Sequence, residues 1–257
     1  MSGWIDTHCH ITDAAFTADR LLALNRCREQ DVARVVTLGI DIATSFLARN
    51  LARLHPSVYF CAGVHPHDVD RENAEDRKQE LMRLWSDPKC VAIGEIGMDN
   101  FRDYSSPIAQ ERSFRWQLRM ATEIGKPVVI HNRSAGMEIL RILEEENFTN
   151  GGIFHCFSED AEYAGKVIAL GFYVSFAGNV TYENSPLLAV AKAIPTERIL
   201  IETDSPWLVP KPFPKRDRNE PSYVAHTGLF LANALGIEPA VLQQQLFENT
   251  ITCFRMK

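Results

Sequence analysis

Short apolar runs and amphipathic segments alternate eight times along this chain, at intervals of roughly thirty residues. The runs fall at 4–10, 32–38, 58–64, 91–95, 127–130, 152–155, 172–175 and 199–202. Helical periodicity is expected between them, over 17–30, 42–54, 72–85, 108–124, 136–146, 161–170 and 185–193. Two last helices are expected at 223–235 and 239–254. Strands that are apolar without alternation are buried on both faces, as in a parallel sheet whose crossovers are helices. Eight such units in 257 residues predict an α/β protein with one closed TIM (β/α)8 barrel over residues 1–257. An open doubly wound sheet would carry a Gly-rich turn after its first strand. None follows 4–10, and no linker or low-complexity tract divides the chain.

Active sites of such barrels sit at the C-terminal ends of the strands. Six of the eight histidines fall there: His8, His10, His65, His67, His131 and His155. His55 and His226 lie elsewhere. Glu95 ends the fourth run, and Asp204 follows the eighth. Side chains two apart on a strand share a face, so His8 and His10 converge while Cys9 points away. Strands about 4.8 Å apart place His131 beside His155, which suits one divalent cation. Closure of the barrel brings Asp204 to His8 and His10, around a second. Glu95, next to His131, has two oxygens and is expected to bridge both ions. Paired ions about 3.5–4 Å apart suit hydrolysis of phosphate esters. Imidazole with carboxylate accommodates Zn, Mn or Mg without choosing among them.

The net charge of −6 argues against a basic nucleic-acid coat, although bound cations would supply positive charge locally. The six cysteines contain no Cys-x-x-Cys pair and read as reduced thiols of a cytoplasmic protein. The first run begins too early to leave room for a signal segment, and no apolar run approaches membrane-spanning length. No obligate protein partner is evident.

The motifs Asp6-Thr-His-Cys-His10, Gly63-Val-His-Pro-His67 and Gly94-Glu-Ile-Gly-Met-Asp99 resemble those of the TatD family of metal-dependent deoxyribonucleases. So do His131-Asn-Arg133, His155-Cys-Phe-Ser158, Glu202-Thr-Asp-Ser-Pro206 and Arg218-Asn-Glu-Pro221. The resemblance spans nearly the whole chain. It implies a TIM barrel, a divalent-metal site and hydrolysis of DNA phosphodiester bonds. It also implies His8, His10, Glu95, His131, His155 and Asp204 as ligands, the set that strand adjacency selects. Two positions depart from the family pattern, at Asn100-Phe101 and at Glu159, and both border the cleft.

Catalytic roles are expected for Asp204, as general base towards a metal-activated water, and for Glu95. His65 and Arg133 are expected to bind substrate, with a hydrogen-bonded loop histidine and a rim salt bridge as the plainer readings. His67 is expected to be structural or to line the cleft. Asp6 and Glu202 lie one pleat deeper and are expected in a buried network. Residues 206–221 carry Lys211, Lys215, Arg216 and Arg218, either a patch that steers an anionic backbone or a stiff solvated loop. The expected partner is DNA or another phosphodiester. The alternative is hydrolysis of a C–N, C–O or phosphoester bond in a small molecule, as in related amidohydrolases. Branches that bridge their metals with a modified lysine need it where Glu95 stands, which favours the nuclease.

Overall fold

The computed structural model describes residues 3–256. Eight strands are β1 (Trp4–Cys9), β2 (Val32–Leu38), β3 (Val58–Ala62), β4 (Cys90–Asp99), β5 (Val128–Arg133), β6 (Gly152–Phe154), β7 (Phe172–Phe176) and β8 (Ile199–Ile201). The helices between them are α1 (Arg20–Glu29), α2 (Ile42–Leu54), α3 (Lys78–Trp85), α4 (Pro107–Ile124), α5 (Gly136–Glu145), α6 (Ala161–Ala169) and α7 (Leu187–Ala193). Then α8 (Val224–Leu235) and α9 (Pro239–Phe254) end the described chain. The strands form one sheet in sequence order, and the chain adopts the (β/α)8 barrel fold expected from its alternation.

The chain divides into two compact units. The first contains the N-terminal residues through Thr37, residues 156–165, and the chain from Val174 onward. Within it β1 pairs in parallel with β2, and β7 with β8. The Asp204 amide donates to the His8 carbonyl at 2.9 Å, and Thr7 Oγ1 donates to the Ile201 carbonyl at 2.9 Å. These bonds lay β8 beside β1. Burial of the whole of β1, with an indole and an isoleucine at its start, is worth about 1.5–3 kcal/mol per large apolar side chain.

The second unit holds Leu38–His155 and Lys166–Tyr173. It contains the parallel pairs β3–β4, β4–β5 and β5–β6. Asp41 caps α2, accepting from the Thr44 amide at 2.7 Å while Thr44 Oγ1 receives the Asp41 amide. Trp85, buried at the end of α3, donates Nε1 to the Ala62 carbonyl at 2.9 Å.

Two elements differ from their expected bounds in ways that matter. Helix α3 begins at 78 rather than 72 because preceding side chains bond elsewhere. Glu72 Oε2 accepts from the Ile42 amide, and Asn73 Oδ1 from the Glu75 amide, which competes with helical pairing. Strand β4 runs four residues past Glu95, with all ten residues buried. Its extension is paired with β5, Gly97 opposite His131 and Asp99 opposite Arg133. Gly97, at φ +142°, permits this: a Cβ there would lie 2.0 Å from the His131 carbonyl oxygen.

Candidate metal centre

In the second unit, three rings converge on one carboxylate oxygen. Glu95 Oε1 lies 2.8 Å from His155 Nε2, 2.9 Å from His131 Nδ1 and 3.2 Å from His65 Nε2. Glu95 is 3% exposed. The His65 ring can be assigned a tautomer. The His67 amide donates to His65 Nδ1 at 3.1 Å, so the proton of the neutral ring is on Nε2 and is donated to Glu95. Burial pushes His65 down to about 4, against the opposing pull of Glu95, so the ring is neutral near neutrality.

His131 is held from its far side. Asp99 Oδ2 lies 3.2 Å from His131 Nε2 and 2.6 Å from His67 Nε2. Asp99 Oδ1 accepts from the Phe101 and Arg102 amides at 2.9 and 2.8 Å. Burial disfavours the Asp99 charge, but the two imidazoles and two amides outweigh it and hold the carboxyl well below its usual range. Burial likewise opposes charge on His131, and the bonds to Asp99 and Glu95 overcome it and raise its pKa.

In the neutral ring that metal binding requires, Nε2–H of His131 is donated to Asp99 and Nδ1 turns a lone pair towards Glu95 Oε1, with His155 Nε2 3.4 Å away. Three donor atoms at 2.8–3.4 Å, one anionic, are satisfied together by a shared cation. The edges of a tetrahedral site with bonds near 2.1 Å are about 3.4 Å. The donor set therefore fits a divalent metal.

In the first unit, His8 Nε2 and His10 Nε2 are 3.1 Å apart, and Asp204 Oδ1 lies 3.7 and 3.6 Å from them. His8 is fully buried on β1, and His10 follows the strand end, its amide bonded to the Ser205 carbonyl at 2.8 Å. Asp204 sits at φ +50°, a left-handed conformation that Asp tolerates better than most residues. Its spacing from the two rings also suits a cation. The Trp207 ring stands edge-on to His10 at 5.3 Å.

The deeper acids form the expected buried network. Asp6 accepts from Thr203 Oγ1 at 2.6 Å and from the Thr203 amide at 2.9 Å, and Glu202 accepts from the Cys156 amide at 2.7 Å. Burial pushes Asp6 well above the usual carboxylate range despite the Thr203 bonds. Cys9 points away from the histidines, towards the Val36 carbonyl at 3.5 Å.

The basic loop is largely engaged within the fold. Arg218 forks onto Asp19 at 2.6 and 2.7 Å and lies over Phe16, Lys211 reaches Glu183, and Lys215 lies over Tyr182. Arg133 is exposed, its guanidinium 4.1 Å from the Phe101 ring centre. Phe101 is one wall of a cleft of about 450 Å³ that Asp99, Arg102, Ile108, Gln110 and Glu138 also line.

Sequence reasoning gave Asp99 no role because the apolar run ends at Glu95. Parity carried the signal: 95, 97 and 99 share one face of β4.

A family model described as TatD related DNase matches residues 5–255. The chain belongs to that family. It is 36% identical over 253 residues to the metal-dependent hydrolase YabD of Bacillus subtilis (strain 168), covering 98% of each protein. It is 36% identical over 261 residues to the 3'-5' ssDNA/RNA exonuclease TatD of Edwardsiella piscicida, covering 98% of this chain and 99% of that one. The crystal structure of YJJV, a TatD homologue from Escherichia coli K12, matches with a TM-score of 0.92 at 27% identity, covering 99% of this chain and 98% of that one. As a member of the TatD family the protein is a metal-dependent hydrolase, and its histidine–carboxylate clusters are the groups able to hold the metal. No helix among the described residues is long and apolar enough to cross a membrane.

Proposed function

We propose that this protein hydrolyses phosphodiester bonds of single-stranded nucleic acid, DNA foremost. The observation that carries the reading is the convergence of Glu95 Oε1, His131 Nδ1 and His155 Nε2 at 2.8–3.4 Å, spacings that suit a shared cation. His8, His10 and Asp204 are the proposed holders of a second ion. Zn, Mn and Mg all suit these donors. When bound, the ions would lower the pKa of a coordinated water towards neutrality and offset charge on the phosphate.

The chain's own residues do the rest. Asp204 takes the proton of the attacking water and returns it to the leaving oxygen. His65, a neutral Nε2–H donor, fixes the Glu95 carboxylate, so its proposed part is to set that carboxylate as well as to face substrate. Arg133 lies at the rim, where its planar fork suits a phosphate. The name of the Edwardsiella relative supports a single-stranded substrate. We keep the single-domain reading because the chain passes between its two units four times, at 37/38, 155/156, 165/166 and 173/174. The cytoplasm is the proposed location, since five of the six cysteines are buried and none forms a disulfide among the described residues.

The test follows shortening of a short single-stranded DNA by metal-stripped protein to which Mg, Mn or Zn is restored separately. Glu95→Ala and Asp204→Asn are run in parallel. Metal-dependent shortening that both substitutions abolish supports the reading. Wild-type protein that binds metal and leaves DNA intact overturns it, and a panel of lactones, cyclic amides and small phosphodiesters then becomes the substrate search.

A further inference from the structure

We infer that Asp99 is a positioning residue that sets which nitrogen of His131 faces the metal. The inference rests on the metal reading above and adds a residue outside the proposed ligand set.

Asp99 has its acceptor positions occupied in a fixed order. Oδ1 takes the amides of Phe101 and Arg102, at 2.9 and 2.8 Å. Its own amide donates to Gln110 Oε1 at 2.8 Å, and Gln110 Nε2 returns to the Asp99 carbonyl at 3.2 Å. The loop amides therefore hold the carboxylate through Oδ1 while α4 holds the Asp99 backbone, which leaves Oδ2 directed at the imidazoles. That direction holds two imidazole nitrogens, His67 Nε2 and His131 Nε2. A carboxylate oxygen only accepts, so both rings must present N–H there.

For His131 the consequence is specific. Its Nε2 carries a proton, so in the neutral ring that binds a metal Nδ1 carries the lone pair, and Nδ1 is the atom aimed at Glu95 Oε1. A histidine whose far nitrogen donates to a carboxylate is fixed in tautomer and rotation, and its near nitrogen is the more basic ligand. His67 serves as a brace: its ring, perpendicular to and 4.4 Å from that of His65, keeps the second donor on Asp99 Oδ2. Its amide sets the tautomer of His65 in turn. Two of the three rings at this centre are thus oriented from outside it, His65 by the His67 amide and His131 by Asp99.

The distinguishing prediction comes from the order of two substitutions. In Asp99→Asn the amide oxygen must stay with the Phe101 and Arg102 amides, which only donate. The –NH₂ group then faces His131 Nε2 and donates to it, which moves the imidazole proton to Nδ1, the metal-facing atom. Asp99→Ala imposes no tautomer. Positioning through His131 therefore predicts that Asn weakens metal binding at least as much as Ala, by about 10–100-fold. A purely structural Asp99 predicts the opposite order, since Asn retains the volume and the backbone bonds.

The experiment is chelator competition for Zn²⁺ on wild type, Asp99→Asn and Asp99→Ala, with His131→Ala as reference. It is joined by ¹⁵N-histidine NMR of the wild type loaded with ¹¹³Cd. The expected results are a loss of affinity in Asn equal to or exceeding that in Ala, and ¹¹³Cd coupling to His131 Nδ1 with the proton on Nε2. Near-wild-type affinity in Asp99→Asn, or coupling to Nε2, overturns the inference while leaving the metal reading intact. Wild-type protein that binds no divalent ion, or a His131→Ala protein that binds as wild type does, overturns the metal reading and this inference with it. The NMR arm uses wild type alone, so a variant that fails to fold does not remove the test.

Discussion

The candidate ligand clusters of the two units are built differently. In the second unit, Glu95, His131 and His155 crowd to 2.8–3.4 Å, and His131 is held from behind by a carboxylate with all its bonds made. In the first, His8 and His10 approach closely, but Asp204 stands 3.6–3.7 Å off on a left-handed residue at the loop margin. Its rigid ionic contacts are farther along the chain. Arg26 binds Glu220 through Nε at 2.7 Å, and Arg218 binds Asp19, which ties the loop before α8 to α1. The contrast suits a division of labour. The carboxylate farther from its rings is placed to take and release a proton, whereas the one crowded among three rings is placed to anchor an ion.

The largest effect should come from Glu95→Ala, which deletes the anionic centre of the crowded set. DNA hydrolysis should fall on the order of 10³-fold or more, with loss of the tightly held ion by metal analysis. Asp204→Asn should lower hydrolysis by about 10²–10³-fold while the crowded set keeps its ion. If both variants lose metal equally, the division of labour is wrong. Stepwise chelation should sharpen the same comparison: the His8–His10–Asp204 ion should leave first, at about tenfold lower chelator concentration. A single concerted release would mean that the two sets do not differ in hold.

Smaller effects probe the anchoring of the loop. Arg26→Ala leaves Glu220, 5% exposed, with most of its charge pairing gone, and should cost about 2–3 kcal/mol in urea unfolding. The smallest is a pH effect at Asp19, whose carboxyl Arg218 and Arg26 hold well below the usual range. A depressed acid favours the folded state above its unfolded pKa, near 4, and that contribution fades as pH falls through the folded value. Asp19→Asn should therefore narrow the stability gap between pH 6 and pH 3, read as thermal midpoints at the two values.

Period and position along the chain are local properties, so the sequence alone determined the eight alternations and the placement of six histidines at strand ends. His131, Glu95 and His155 needed only strand adjacency to be assembled on paper, and the fold brings them within hydrogen-bond distance. The length of β4 was not legible. The apolar run ends at Glu95, and only pairing with β5, through a glycine that admits its backbone, carries the strand on to Asp99. Nor was the fate of Arg218 legible, because Asp19 lies 199 residues away and charge in a loop reads the same whether paired or solvated. Which nitrogen of each ring points where was likewise decided by tertiary structure. An imidazole has two equivalent-looking ends in sequence, and only the partner behind it, the His67 amide for His65 or Asp99 for His131, makes them different.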